Sequence, residues 1–460
     1  MHRRHFLQAS GGALLAQGSR PPNVVFILTD DQGQWTLGCY GNREIRTPHL
    51  DQLAAGGARL TRAFAATPVC SPSRATFFTG KIPSQHGIQD WIQHENTGAG
   101  ARRFLDGQTT FAKVLADAGY RVGLSGKWHM GDSVTPQQGF SSWFAMPTGG
   151  TPKTYQDPEM IWEGQTRVYP GYVTEILTDK AIEFIEQARQ YPFCCFLSYN
   201  APHTPYAGTP ERYLARYRDS RLESFPDEPL DERNTGLGRN NHRRRESMIH
   251  YSAMITALDE NVGRLLARLD DLGLRQNTLV VFAADQGFMC GHHGLWGKGN
   301  GSWPFNMYEE SILMPMIWNH PGRIPAGGTV DAMVSSYDFG PTLLDYLGRR
   351  GLPGRSYAPL LQGRKTRWEN KVYGEYQYTR MVRTERWKYV HRTEGFLSEL
   401  FDLETDPGER RNVAGHPAHA DRVRQLKARL DGWFRARGAG SADSWKATRQ
   451  QLPTYKAVGV

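Results

Sequence analysis

The feature that most restricts the fold is a set of four short strand-like runs, three of them continuous and apolar. They are VVFILT at 24–29, RVGLSG at 121–126, FCCFLSY at 193–199 and TLVVFA at 278–283. An apolar run of four to eight residues without alternation fits a strand covered on both faces, as in a parallel sheet. Helical patterns lie between the runs. TTFAKVLADA at 109–118 has Thr109 as an N-cap and is closed by Gly119. The segment 173–189 sets Ile176, Leu177, Ile182, Phe184 and Ile185 in helical register, and Pro192 stops it. The segment 247–272 carries Ile255, Leu258, Val262, Leu265, Leu266 and Leu269, with Gly273 as its C-cap. Strands alternating with helices predict an α/β fold: a large, mostly parallel mixed sheet sandwiched by helices.

Beyond Gly363 the pattern changes. KVYGEYQY, MVRTERWKYV and ELFDLETD are short and aromatic-rich, and predict a smaller C-terminal antiparallel sheet, followed by a charged helix over 420–435. This places a boundary near Gly363, with a main domain at 21–363 and a small α+β subdomain at 364–460. The polar, Pro-rich stretch 207–245 is too long for an ordinary connection and reads as a functional surface loop or as partly disordered.

Each of the four runs ends in polar, reactive side chains. The first runs into Asp30 and Asp31, the second into Lys127 and His129, the third into Asn200 and His203, the fourth into Asp285 and Gln286. Ligands of open parallel sheets bind outside the carboxyl ends of the strands, so four such sets at one edge predict a shared site. Alone, Asp30 and Asp31 read equally well as turn residues. Together with Asp285 and Gln286 they form a set of hard oxygen donors, which selects Ca²⁺ or Mg²⁺ over zinc or copper.

Composition narrows the class. Of 460 residues 39% are hydrophobic and 22% charged, which excludes a disordered chain, a collagen and a coiled coil. Lys plus Arg number 55 against 46 Asp plus Glu, a net charge of +9 that tolerates anionic partners. No nucleic-acid module is visible, and the run Arg243, Arg244 and Arg245 reads as a solvated face. Five cysteines at irregular spacing are neither a disulfide framework nor a zinc site, and Cys194 and Cys195 read as buried thiols. The N-terminal MHRRHFLQASGGALLAQG, with Arg3 and Arg4, reads as a twin-arginine export signal over 1–20, which predicts a periplasmic or secreted protein; read as a plain basic terminus, it leaves the protein cytoplasmic. No other run approaches the roughly 18 apolar residues of a spanning helix, so no membrane span is predicted. Nothing in the sequence speaks to oligomeric state.

Cys70 stands apart by its context, PVCSPSRATFFTGKIPSQHG at 68–87. Cys70, Pro72, Ser73, Arg74, Thr79 and Gly80 match a long signature, and ILTDDQG, TPHLDQLA, GKWH, APHTP, ADQG, GKGN, MYEES and LFDLETDPGE accompany it. Over about 23–413 the chain resembles the type I, formylglycine-dependent sulfatase family of the alkaline-phosphatase-like superfamily. The resemblance implies that a dedicated maturation enzyme oxidises Cys70 to Cα-formylglycine, hydrated to a gem-diol. It implies that Asp30, Asp31, Asp285 and Gln286, with the converted Cys70, hold a divalent cation, usually Ca²⁺ and alternatively Mg²⁺. Many members carry Asn or His where this chain has Gln286. Arg74 would orient the formylglycine, Lys127 and Lys298 would hold sulfate oxygens, His129 would be the base on the diol and His203 the acid toward the leaving group. Cation, Arg and Lys offset the charge of an anionic ester. One diol hydroxyl attacks sulfur, and the second lets the aldehyde reform and expel sulfate, which a serine could not do.

The expected substrate is a sulfate monoester on a carbohydrate or sulfated polysaccharide fragment, with family analogy and basic charge as the grounds. The same site would also serve a phosphonate monoester or phosphodiester hydrolase or an N-sulfamidase, and an unmodified Cys70 would suit a non-catalytic glycan-binding protein. His86 reads as a packing or capping residue. His292 and His293 are placed near Lys298 as pocket lining, and Trp303, Asn306 and Arg380 are candidate substrate contacts.

Overall fold

The computed structural model describes residues 20–93, 97–147, 151–393 and 395–439. The expected export signal at 1–20 lies outside them except for Arg20. Ten strands form one sheet, in the spatial order Gly328–Val330, Ala58–Leu60, Met316–Asn319, Thr278–Ala284, Asn23–Thr29, Phe193–Ser198, Arg121–Gly126, Ser142–Ala145, Glu159–Trp162 and Gln165–Val168. The four runs singled out above are its centre and lie parallel to one another, in registers such as Val25 beside Cys195 and Val280. Ser142–Ala145 continues the parallel set. Met316–Asn319 runs antiparallel to both its neighbours, and the last two strands form an antiparallel edge. The sheet is therefore mixed, with a parallel core, as expected.

The central strands are covered on both faces, which is why their sequences do not alternate. Val25, Ile27, Cys195, Leu197, Val280 and Phe282 point to one face and share a core with Leu177, Ala181, Leu258 and Val262 of helices Val173–Ala188 and Arg245–Asp271. Val24, Phe26, Leu28, Cys194, Phe196 and Val281 point to the other, toward helices Cys70–Thr79, Phe111–Asp117 and Ser336–Tyr346. Phe26 lies 5.3 Å from Phe196 and 4.5 Å from Phe339 between ring centroids, so truncating it would cost about 3–5 kcal/mol.

Two helix ends differ from expectation. The cap of Phe111–Asp117 is Thr110 rather than Thr109, its hydroxyl accepting from the Lys113 amide at 3.1 Å. The long helix starts at Arg245, whose Nη2 donates to the Arg218 and Ser220 carbonyls at 2.7 and 2.8 Å; Leu272 is its C-cap, and Gly273 takes the left-handed position after it (φ 65°). Nor is 207–245 disordered. Tyr213, Tyr217, Leu222 and Phe225 are buried in the first core, which pins the segment to the body. Arg243 and Arg244 pair with Asp227 and Glu246 on an exposed face, as expected for the arginine run.

The C-terminal pieces form a four-stranded antiparallel sheet, Val372–Tyr376, Thr379–Arg383, Trp387–Arg392 and Glu399–Asp402. Helix Ala420–Arg435 packs on it through Leu426, Leu430 and Phe434. The sheet is tied to the first part of the chain where the Glu375 amide donates to the Ala66 carbonyl at 2.8 Å. All five cysteines are free thiols. Among the described residues no helix is long and apolar enough to cross a membrane.

Candidate active site

The carboxyl ends of the central strands are stitched together by their own main chain. The amides of Asp30, Lys127 and Asp285 donate to the carbonyls of Ala201, Ser198 and Thr29 at 3.2, 2.9 and 3.0 Å. Gly126 permits this closeness: a Cβ there would sit 1.9 Å from the Ser198 carbonyl oxygen. Asp30, Asp31, Lys127, His203, Asp285 and Gln286 thus converge on one lip of the sheet. Helix Cys70–Thr79 adds its first residue, Cys70, and the buried Arg74 one turn on.

The side chains interlock. Lys298 Nζ lies 2.7 Å from Cys70 Sγ and 2.6 Å from Asp31 Oδ1, and Cys70 Sγ is 3.5 Å from Asp30 Oδ1. Lys127 Nζ is paired with Asp30. Arg74 reaches Asp285 Oδ2 through Nε and Nη2, both at 3.0 Å, and donates from Nη1 to Ser198 Oγ at 2.7 Å. Its Nη2 is 3.6 Å from Asp30 Oδ2. Burial alone would raise Asp30, but Lys127, His203, Arg74 and Lys298 hold its carboxyl well below the usual range. Asp285 goes the other way, raised by burial and by the neighbouring Asp30 charge. Burial pushes the Cys70 thiol up to about 12, so it stays protonated at neutral pH.

The two histidines are set by main-chain carbonyls. His129 Nε2 lies 2.8 Å from the Ile92 carbonyl oxygen, which can only accept, so this nitrogen carries the proton and the buried Nδ1 is left bare without a partner. Burial holds His129 well below its usual range, with the Lys127 charge adding to the effect. His203 is the reverse: its Nδ1 donates to the Thr204 carbonyl, and Nε2 faces Asp31 Oδ2 at 3.5 Å. Burial lowers His203, while Asp31 and Asp30 oppose that shift.

Donor atoms of Asp30, Asp31, Cys70 and His203 all lie within 4.8 Å of one another. Gln286 donates from Nε2 to Asp31 Oδ1 at 2.6 Å, while its buried Oε1 has no hydrogen-bond partner. An orphaned amide oxygen beside clustered carboxylates is a set of lone pairs that suits a hard divalent cation. Asp285 belongs to the same knot, its Oδ1 accepting from the Asp31 amide at 3.3 Å. Cys70, Lys127, His129, His203 and Lys298 all line a cavity of about 900 Å³, far more room than a sulfate group needs.

Residues 22–349 match the family model described as Sulfatase, and residues 291–435 match that of the C-terminal part of N-sulphoglucosamine sulphohydrolase. The chain belongs to the sulfatase family. It is a hydrolase of sulfate esters. The sulfatase is 29% identical to an N-acetylglucosamine-6-O-sulfatase of Bacteroides thetaiotaomicron, over 90% of this chain and 86% of that one. It is 30% identical to an ulvan-active sulfatase of Formosa agariphila, over 95% and 85% respectively. A protein solved in complex with its substrate D-glucosamine-2-N,6-O-disulfate has the same fold, with a TM-score of 0.75 at 27% identity over 95% of this chain and all of that one.

Every residue of the expected catalytic and metal sets in this sulfatase reaches the one site. The secondary candidates divide. Trp303 lines the cavity and is 37% exposed. Asn306 does not line it: its Nδ2 donates to the Lys298 carbonyl at 3.0 Å and so braces the Lys298 loop. Arg380 is buried against Glu375 and over the Phe434 ring, away from the cavity. His292 and His293 do not line it either: His292 packs against Trp35, and His293 stacks on Tyr308 at 3.8 Å with Glu310 beside it. His86 is a packing residue, as expected, bonded to Thr76 and to the Ile88 amide. Sequence reading missed Ser198, which braces Arg74, and Tyr251, whose hydroxyl donates to the Asp31 carbonyl at 2.7 Å. It also missed the wall made by Arg233, Asn234, Thr235 and Arg239, zipped to the Lys298 loop where Thr235 N meets Gly301 O at 2.9 Å and Trp303 N meets Arg233 O at 2.8 Å. The length of the 207–245 connection was the one available signal for that wall.

Proposed function

We propose that this enzyme releases sulfate from a sulfate monoester on a carbohydrate, through Cα-formylglycine made from Cys70 by a maturation enzyme. The observation that carries the reading is Cys70 itself. Its sulfur sits between Lys298 and Asp30 in the cavity, yet burial and the Asp30 charge push the thiol up and keep it protonated, which disfavours a thiolate nucleophile. A residue so placed makes sense as the precursor of another group. The hydrated aldehyde supplies the hydroxyl nucleophile and, through its second hydroxyl, the route by which sulfate departs. Asp30, Asp31, Asp285 and Gln286, with the converted residue 70, would hold Ca²⁺, or Mg²⁺ in its place, which neutralises charge on the sulfuryl group.

The remaining steps belong to this chain. Lys127 and Lys298, both lining the cavity, bind sulfuryl oxygens. Arg74 holds Asp285 in place through its buried bonds and, one helical turn from residue 70, would orient the formylglycine. His129, bare at Nδ1, takes a proton from the group at position 70. His203 delivers one from Nε2 to the leaving oxygen, and Asp31 facing that nitrogen favours the protonated ring. Trp91 and Trp303 in the cavity wall offer aromatic surface to a sugar ring. Named activities of the relatives, on N-acetylglucosamine-6-sulfate and ulvan, support a carbohydrate substrate. The Arg3–Arg4 signal supports export to the periplasm or medium. The change of pattern near Gly363 supports a main domain at 21–363 and a subdomain at 364–460.

The test pairs peptide mass analysis around residue 70, from a host containing the maturation enzyme, with a sulfate-release screen of sulfated mono- and disaccharides. Conversion of Cys70 together with sulfate release is expected, and Cys70→Ala should abolish release while keeping the fold. Full activity with an unconverted thiol would refute the mechanism. Faster turnover of an aryl phosphonate ester than of an aryl sulfate would instead favour the phosphonate hydrolase reading.

A further inference from the structure

The segment bearing Trp91 and Ile92 lies between the two halves of the chemistry. The Ile92 amide donates to Ser71 Oγ at 3.0 Å, next to the nucleophile position. The carbonyl of the same residue accepts the proton of His129 Nε2 at 2.8 Å. One residue thus touches both the neighbour of Cys70 and the base, and what fixes it fixes the histidine.

What fixes it is Asp90. This side chain is 8% exposed. Its Oδ1 accepts from the Trp91 amide at 2.8 Å and from the Tyr376 hydroxyl at 2.7 Å, and its Oδ2 accepts from Gln377 Nε2. Tyr376 and Gln377 form the first hairpin of the C-terminal sheet, between strands Val372–Tyr376 and Thr379–Arg383. Both are buried, and the Tyr376 ring stacks on Phe305 of the cavity wall at 4.4 Å. Three donors from two parts of the chain therefore close on one carboxyl group, two residues before Ile92, whose carbonyl dictates the His129 tautomer.

We propose that Asp90 is a positioning residue for the reaction: through Tyr376 and Gln377 the C-terminal sheet clamps the Trp91–Ile92 backbone and so holds His129 with its proton on Nε2 and its lone pair on Nδ1. This inference rests on the assignment of His129 as the base. Loss of the clamp lets the Ile92 carbonyl drift, and a ring without a fixed acceptor populates both tautomers. Displacements of about 1 Å in such a group reduce turnover by up to about 10²-fold without weakening ground-state binding.

The experiment uses the full-length, formylglycine-bearing enzyme with Ca²⁺, with kcat expressed per converted residue 70. Histidine-¹⁵N spectra are recorded alongside 4-nitrophenyl sulfate kinetics, and His129→Gln assigns the His129 signals. Asp90→Ala should lower kcat by about tenfold or more with KM within about twofold, and should shift the His129 nitrogens from the Nε2–H pattern to a mixture. Asp90→Asn keeps an oxygen for the Trp91 amide and the Tyr376 hydroxyl, and should restore most of the turnover. Should Asp90→Ala not fold, Tyr376→Phe, which removes one bond and keeps the ring stack, should move both readouts in the same direction by a smaller factor. An unchanged kcat, or a loss with the His129 signals unmoved, overturns the inference. Full turnover by His129→Gln would instead overturn the assignment of the base; an inactive His129→Gln beside an unimpaired Asp90→Ala overturns the clamp alone.

Discussion

Replacing Arg74 by Met tests whether the site is an interlocked set of buried charges. The guanidinium is fully buried, hydrogen-bonded through Nε to Asp285 at 3.0 Å and through Nη1 to Ser198 Oγ at 2.7 Å, with Nη2 ion-paired to Asp285 at 3.0 Å and Asp30 at 3.6 Å. Met fills a similar volume but leaves Asp285 with the Asp31 amide as its hydrogen-bond donor. Removing one partner of a buried ion pair costs about 3–5 kcal/mol, because the other charge stays behind without compensation. Unfolding entropy of about 2.1 cal/mol/K per residue, over 460 residues, amounts to ~1 kcal/mol/K, so Tm should fall by about 3–5 °C. The comparison belongs in a Cys70→Ala background, where maturation does not enter, and in chelator, where no cation can stand in for Arg74. Calorimetry at pH 8 and pH 5 completes it. Asp285 is already raised by burial and by Asp30, and will take up a proton as pH falls, so the deficit should shrink at pH 5. A variant within about 1 kcal/mol of its parent at pH 8 would refute the picture of mutually dependent buried charges.

Three further outcomes are expected. Gln286→Ala deletes the orphaned amide oxygen, and the Ca²⁺ concentration that half-saturates the rise in Tm should increase by about tenfold; an unchanged titration would remove Gln286 from the metal set. His203→Ala should slow hydrolysis of sugar sulfates by about 10²-fold while affecting 4-nitrophenyl sulfate much less, because a nitrophenolate needs little protonation; equal losses would deny it the acid role. Burial pushes Asp259 up to about 7, against the His49 and Leu50 amides that bond it. Its folded pKa then exceeds the unfolded value of about 4, so the native state binds the extra proton and this group's contribution to stability is lost as pH rises from 4 to 7. Urea unfolding across that window should show the stability of Asp259→Asn rising relative to its parent as pH goes from 4 to 7, and parallel curves would contradict the assignment.

The centre of the sheet and the ring of site residues were legible because both leave a mark in residue type. Strands buried on two faces read as apolar runs, and the polar residues that follow them lie at the carboxyl edge by the geometry of parallel pairing. Much else leaves no such mark. Met316–Asn319 is four residues between Pro315 and Pro321, and nothing in it tells an antiparallel insertion from a loop. The edge strand Gln165–Val168 is wholly exposed and has no apolar face to pattern. Thr109 and Thr110 are chemically equivalent caps, and only backbone conformation separates them. Asn306 and Trp303 sit three residues apart in the same phrase, yet one props a loop and the other faces the cavity. The bonds that tune the histidines come from the carbonyls of Ile92 and Thr204, and a carbonyl is common to every residue.

Those two carbonyls carry a consequence for proton traffic. With opposite nitrogens committed to the main chain, both rings present a lone pair to the reaction space in their neutral forms. If His203 is the acid proposed above, its neutral ring has to take up a proton at Nε2 before it can give one, and Asp31, 3.5 Å from that nitrogen, favours the uptake.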